Sequence, residues 1–215
     1  MHIFLIETTG ISLWEMIVKG GWLMIPLFLL SVMAVYIICE RYARIGKATR
    51  TGAGFTGRVL EVMRRDGKGA AMQECAQREA PVARVLLKGI RYAEIPAADL
   101  RMSMENAANA EMASLEKGLS TLGTIANIAP MIGFLGTVMG MIQAFYDMSM
   151  AGNNINISLL SNGIYTAMVT TVAGLSVGIV ASLGYNALVG RINRIAVEME
   201  NASSEFIDAL YDLKK

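Results

Sequence analysis

A stretch of uncharged residues runs from Gly118 to Tyr146, with the sequence GLSTLGTIANIAPMIGFLGTVMGMIQAFY over 29 positions. Two further uncharged stretches flank it along the chain: Gly20–Cys39, of 20 residues, and Met148–Gly190, of 43. About 20 predominantly apolar residues in an α-helix cross a hydrocarbon core about 30 Å thick. The three stretches therefore predict three membrane-spanning helices.

The composition of the 215-residue chain excludes several other classes of protein. Hydrophobic residues make up 54% and charged residues only 17%, which argues against an ordinary soluble enzyme and against a disordered chain. The formal net charge of +1, without a basic run, argues against a nucleic-acid partner. Two cysteines are too few for a disulfide scaffold.

The distribution of basic residues predicts the orientation in the membrane. Of 19 lysines and arginines, one precedes the first span, fourteen lie between Glu40 and Lys117, none lies in Asp147–Ser158, and four follow the third span. Lysine and arginine accumulate on the cytoplasmic side of membrane proteins. The N-terminus is therefore expected outside and the C-terminus inside. Glu7 and Glu15, in place of a basic segment, argue against a signal peptide.

The chain is thus divided into seven segments. These are an extracytoplasmic N-terminal segment (1–21), the first span (22–40), a cytoplasmic helical domain (41–117), the second span (118–146), a short extracytoplasmic connector (147–158), the third span (159–189) and a cytoplasmic C-terminal helix (190–215). The N-terminal segment is either an amphipathic helix at the membrane surface or a loosely ordered tail with one interfacial tryptophan.

Helix signals continue outside the membrane. Asp66-Gly67 predicts a turn between helices at Phe55–Arg65 and Lys68–Glu79, and Pro81 and Pro96 each suit the first position of a helix. Apolar residues recur at helical spacing from Leu100 into the second span, and from Leu188 to Leu213 after the third. The predicted fold is an all-α membrane protein whose second and third spans extend far into the cytoplasm and pack as an antiparallel pair.

Small and hydroxyl-bearing residues distinguish the second and third spans from the first. Two pairs of glycines are spaced by four, Gly136–Gly140 and Gly174–Gly178, and such pairs let helices approach closely. Packing between the two spans explains most of these glycines and serines. It explains less well the four threonines Thr137, Thr166, Thr170 and Thr171. Their hydroxyls favour a polar surface that faces a cavity, a neighbouring copy or a different helix.

Aspartate, glutamate, lysine, arginine and histidine are missing from all three uncharged stretches. A proton relay inside a membrane normally needs such a group, so in a proton-driven machine the titrating carboxylate would have to come from another polypeptide. Enzyme and cofactor signals are missing too, since the only histidine is His2 and no phosphate loop or nucleophile elbow is present. We expect a protein that is not an enzyme, without metal or cofactor, in which Cys39 and Cys75 are free cytoplasmic thiols.

Two motifs resemble one family. Ile128–Ile142, IAPMIGFLGTVMGMI, is similar to the second-span helix of the ExbB/TolQ/MotA proton-channel family, and Gly163–Ala181 followed by Tyr185-Asn186 is similar to its third. Three spans with a large loop after the first resemble ExbB and TolQ more than the four-span flagellar subunit. The resemblance makes Thr137, Thr171 and Thr166 lumen-lining residues of the proton pathway. The residues assigned to helix packing are Gly136, Gly140, Gly174, Gly178 and Pro130.

The resemblance also implies an assembly. A homo-pentamer in the bacterial inner membrane would surround two helices of an ExbD/TolR-like single-span partner, whose intramembrane aspartate carries the proton, and would act on a TonB/TolA-like protein. Many relatives have glutamate where this chain has Thr166, which leaves hydroxyls and water around the partner's aspartate. An alternative is an energy-independent scaffold that recruits an envelope protein. A small-solute channel is disfavoured because the spans offer no charged selectivity ring.

Overall fold

The computed structural model describes residues 20–48, 54–150 and 157–212. Over these ranges the chain forms seven α-helices and no β-strand. The helices are α1 (Met24–Ala48), α2 (Phe55–Arg65), α3 (Lys68–Ala76), α4 (Pro81–Arg91), α5 (Ala97–Glu116), α6 (Leu119–Met150) and α7 (Ile157–Asp212). The amphipathic N-terminal helix considered above lies outside the described residues.

Three of these helices, α1, α6 and α7, are long and apolar enough to cross a membrane. The predicted fold class is therefore confirmed. The chain separates into two compact units: a membrane unit, formed by residues up to Tyr36 and by Thr121–Gly184, and a helical unit, formed by Ile37–Ser120 and by residues from Tyr185 onward. The third span continues without interruption into its C-terminal extension, as the apolar period predicts.

The membrane unit turns large apolar side chains outward. On α1 the exposed residues include Ile25, Phe28, Leu29 and Val32, and on α6 they include Met131, Phe134 and Ile142. Exposed apolar side chains in this number would be unfavourable in water, whereas lipid chains solvate them. The outer surface of this unit is therefore suited to hydrocarbon.

The second span is a separate helix from the one before it, although the apolar period predicted from Leu100 onward runs through both. Helix α5 ends at Glu116, and Gly118 has a φ of +86°, in the left-handed region. A residue with a Cβ rarely adopts this conformation, so glycine fixes the break. The apolar period continues through the break, because it reports which face is buried and not the backbone angle at one position.

Most helix boundaries in the helical unit agree with those predicted from the turn and proline signals in the sequence. Helix α2 has the predicted bounds, and Pro81 begins α4 as expected. Helix α3 ends at Ala76 instead of Glu79, since an extended residue must precede Pro81 and the chain leaves the helix early. Pro96 is the residue before the first helical position of α5 and not that position itself.

The core of the helical unit lies where α4, α5 and the C-terminal part of α7 meet. A Cβ added at Gly89 would lie 2.8 Å from the Sδ of Met104 and 3.0 Å from the Phe206 ring. Met104 and Phe206 are fully buried. Arg84 joins α4 to α5 through two hydrogen bonds of 2.6 Å to the Glu111 carboxylate. Because Gly89 carries no Cβ, Met104 and Phe206 can pack directly against the backbone of α4.

The two cysteines differ in environment. Cys39 is exposed, and Cys75 is buried within α3. Burial, with a smaller contribution from the charge of Glu74, raises the pKa of the Cys75 thiol to about 11. Cys75 is therefore almost entirely protonated at neutral pH, and its thiol is a poor nucleophile.

Candidate functional site

The candidate site is the contact between α6 and α7 in the membrane unit. Glycines let the two antiparallel helices touch along their length. A Cβ at Gly174 would lie 2.6 Å from the carbonyl oxygen of Ala129, and a Cβ at Gly140 would lie 2.8 Å from the Ala167 Cβ. Real Cβ atoms do not approach other heavy atoms so closely, so a larger residue at either position would force the helices apart.

Two larger side chains fill spaces left by glycines on the facing helix. The Pro130 ring of α6 packs against Gly178, where an added Cβ would be 2.5 Å from the ring, and the Thr170 side chain of α7 packs against Gly136. Proline has no N–H and cannot donate to the carbonyl of Ala126. That oxygen lies 3.1 Å from the Cβ position of Gly178. All five residues predicted for helix packing therefore lie on this contact.

The Thr137 and Thr171 hydroxyls meet across the contact. They are within hydrogen-bond distance of each other, and either one can be the donor. The Thr171 hydroxyl lies 3.0 Å from the Gly133 carbonyl oxygen and 3.3 Å from that of Ala167, and the Thr137 hydroxyl lies 3.4 Å from both. Both side chains are half-buried. Two hydroxyls and two carbonyl oxygens thus form one small polar cluster between apolar helices.

The chemistry of this cluster follows from its groups. A hydroxyl donates one hydrogen bond and accepts others, so a pair of them can exchange the donor role. Neither hydroxyl ionises near neutral pH, so the cluster cannot hold a proton as a charge. It can orient water, or solvate a protonated or charged group that is brought beside it. An ionisable group must then be supplied by something other than the two threonines.

Thr166 and Thr170 are in different positions. Thr170 is buried, and its hydroxyl donates to carbonyls of its own helix, at 2.8 Å to Ala167 and 3.2 Å to Thr166. Thr166 is half-buried and lines a cavity with Gly21 and Asp147, and neither Thr137 nor Thr171 lines that cavity. The structure therefore brings together Thr137 and Thr171 and does not bring Thr166 to them.

One polar residue of the membrane unit, Asp147, was not predicted to lie on a spanning helix. Asp147 falls in the predicted connector, but α6 continues through it to Met150. Its carboxylate accepts a hydrogen bond of 2.8 Å from the Gln143 amide, one helical turn earlier. A glutamine and an aspartate four residues apart are a known pairing on helices, and this spacing was the available signal that the helix extends further.

Three apolar spans define a multi-pass membrane protein. Its polar centre is a pair of threonines in a glycine-lined contact between two of the spanning helices. The chain belongs to the MotA/TolQ/ExbB proton channel family, whose sequence profile matches residues 77–201, more than half of its length. The predicted family is thus confirmed, and the family together with the apolar helices indicates the inner membrane.

Individual relatives agree with this assignment. The chain is 30% identical to a putative biopolymer transport protein, ExbB-like 3, of Synechocystis sp., over 78% of its own length and 80% of the relative. It is 29% identical to a putative ExbB homolog of Methanothermobacter thermautotrophicus, over 83% of its own length and 63% of that protein. It is also 36% identical to the Tol-Pal system protein TolQ of Haemophilus influenzae, over 51% of its own length and 47% of the relative.

Proposed function

We propose that this chain is the proton-channel and stator subunit of an inner-membrane motor of the TonB–ExbB–ExbD or Tol–Pal kind, and that it is not an enzyme. The observation that carries the proposal is the Thr137–Thr171 hydroxyl pair in the glycine contact of a MotA/TolQ/ExbB family member. The names of the relatives, biopolymer transport protein and Tol-Pal system protein, support the same type of machine.

In the proposed assembly, five copies surround two helices of an ExbD/TolR-like single-span partner, which passes force to a TonB/TolA-like protein. Support comes from polar side chains on the outside of the spanning helices. Asn127 of α6, and Ser176 and Ser182 of α7, are exposed among apolar residues. The Asn127 and Ser176 side chains donate to carbonyls of their own helices, so a neighbouring helix can pack against them without leaving these donors unsatisfied.

The proposed mechanism places the titrating group on the partner. A charged carboxylate is costly in a low-dielectric environment, and protonation removes most of that cost. An aspartate of the partner would be charged beside the hydrated threonine cluster and neutral while it crosses apolar surface. Successive protonations along the gradient then rotate or step the partner. The part of Thr137 and Thr171 is to solvate the charged form, which hydroxyls do without ionising.

The assembly is tested by purification with and without the partner. Native mass spectrometry in mild detergent should give a homo-pentamer. Proteoliposomes containing the pentamer alone should show little proton flux, measured with a pH-sensitive dye, and addition of the partner should create flux that disappears when its aspartate becomes asparagine. Strong pH-dependent flux without any partner would contradict the mechanism. Partner binding without flux would favour the energy-independent scaffold.

The orientation, N-terminus outside and C-terminus inside, is tested by cysteine labelling. Single cysteines at Ser12, Asn153 and Lys214, in a background without Cys39 and Cys75, should react with an impermeant maleimide at the first two positions in intact cells. The third position should react only after the membrane is opened. Labelling of Lys214→Cys in intact cells would reverse the orientation. It would place the lysine- and arginine-rich segment 41–117 outside the cytoplasm, against the usual distribution of basic residues.

A further inference from the structure

A cavity of about 360 Å³ lies in the membrane unit, where α1 begins, α6 ends and α7 begins. Pockets that hold small molecules have volumes of about 300–1,000 Å³. Its polar lining includes Gln143, Asp147, Asn162 and Thr166, and its apolar lining includes Trp22, Leu23 and Met139. The cavity is therefore large enough for the polar head of a lipid, and it offers both kinds of surface.

Asp147 gives the cavity its charge. Among the described residues of the membrane unit (20–36, 121–150 and 157–184), it is the only Asp, Glu, Lys, Arg or His. Its side chain is half-buried, and the Gln143 amide that donates to it carries no charge. A carboxylate that is partly withdrawn from water at the end of a membrane span is stabilised by a cation. The geometry thus favours a ligand with a positive group.

The rest of the lining restricts the ligand further. Trp22 is exposed two residues before α1 begins, and tryptophan at the end of a span is typical of the level of the lipid headgroups. The Asn162 amide can donate a hydrogen bond to an anionic oxygen, and the exposed Met139 side chain offers apolar contact. A ligand that carries an ammonium group, a phosphate and an acyl chain fits all three kinds of lining.

We propose that this cavity binds a phospholipid with an ethanolamine headgroup. The ammonium group lies at Asp147, the phosphate lies near Asn162, and the acyl chain leaves along Met139. The lipid anchors the outer ends of the three spanning helices to each other. The site does not depend on proton conduction. The lipid-binding proposal can therefore be tested independently of the proposed motor function.

The headgroup specificity gives a sharp test. Ethanolamine and choline lipids carry the same charges, but only the ethanolamine ammonium has N–H groups to donate to a carboxylate. Purified protein is mixed with equal amounts of the two lipids, with identical acyl chains, and bound lipid is counted by native mass spectrometry. We expect about tenfold preference for ethanolamine, which corresponds to one charged hydrogen bond. Asp147→Asn removes the charged acceptor of this hydrogen bond. The preference for ethanolamine should then fall to less than about twofold.

Two controls keep the test decisive. Asp208→Asn removes an exposed carboxylate from the helical unit and should leave the preference unchanged. In a Trp14→Phe background, Trp22 is the only tryptophan, and ethanolamine lipid brominated near the headgroup should quench its fluorescence more strongly than the choline lipid. Equal binding of the two lipids, equal quenching, or a preference that survives Asp147→Asn would overturn the site. Loss of a bound protein in Asp147→Asn, with lipid binding unchanged, would overturn it in favour of a protein ligand.

Discussion

Replacement of Gly174 by alanine is expected to cause a large loss of stability, with separation of α6 from α7. The added Cβ would lie 2.6 Å from the Ala129 carbonyl oxygen and 2.8 Å from the Gly133 Cα. Both are backbone atoms, which cannot rotate away as the end of a side chain can. Overpacking typically costs about 1–3 kcal/mol and sometimes more, and we expect the upper part of this range.

Gly190 of the same helix provides the matched control. It has no heavy atom within 4 Å of its Cβ position, so Gly190→Ala meets open space. Alanine is favoured over glycine inside a helix by about 1 kcal/mol, so this change should be neutral or stabilising. The melting temperatures of the two variants are compared in detergent. Unfolding is monitored as the loss of the monodisperse peak in size-exclusion chromatography. Equal melting temperatures would show that the helices are not in tight contact at Gly174.

Removal of either hydroxyl of the threonine pair is expected to abolish the proposed partner-dependent proton flux while assembly stays intact. Thr137→Val and Thr171→Val preserve the side-chain shape but remove a donor and an acceptor from the cluster. A buried polar group left without its partner costs about 1–3 kcal/mol, which is enough to disturb the solvation of a charge beside it. Serine at either position keeps the hydroxyl and should retain much of the function.

Thr170→Val is the control for this experiment. The Thr170 hydroxyl donates to carbonyls of its own helix and does not contact Thr137 or Thr171 in the hydrogen bonds described above. Its removal should therefore leave partner-dependent proton flux near the level of the unmodified protein. The measurement is dye-monitored flux in proteoliposomes, with native mass spectrometry to verify assembly. Normal flux in both Thr137→Val and Thr171→Val would make the two threonines packing residues only.

The sequence predicted the spans and most helices because these depend on local patterns. Uncharged length reports a membrane span, and Pro81 reports the start of a helix, whatever the rest of the fold does. The left-handed backbone at Gly118 could not be predicted from the apolar spacing, because that spacing does not encode a backbone angle. The separation of Thr166 from Thr137 and Thr171 could not be predicted from the sequence, because it depends on where α1 begins beside α7. Contacts between distant segments are set by packing, which one sequence read locally does not specify.

The contact between α6 and α7 also limits how this subunit can move. A slide of one helical turn in one direction would bring Pro130 from Gly178 to Ser182, and a slide in the other would bring Thr170 from Gly136 to Ile132. In each direction, a side chain on one helix would meet a larger residue in place of the glycine that now leaves space for it. The two helices therefore have a single axial register. A piston stroke of one span against the other is blocked. Any motion of these two spans must therefore keep the pair as one rigid body, as a tilt of both helices together would.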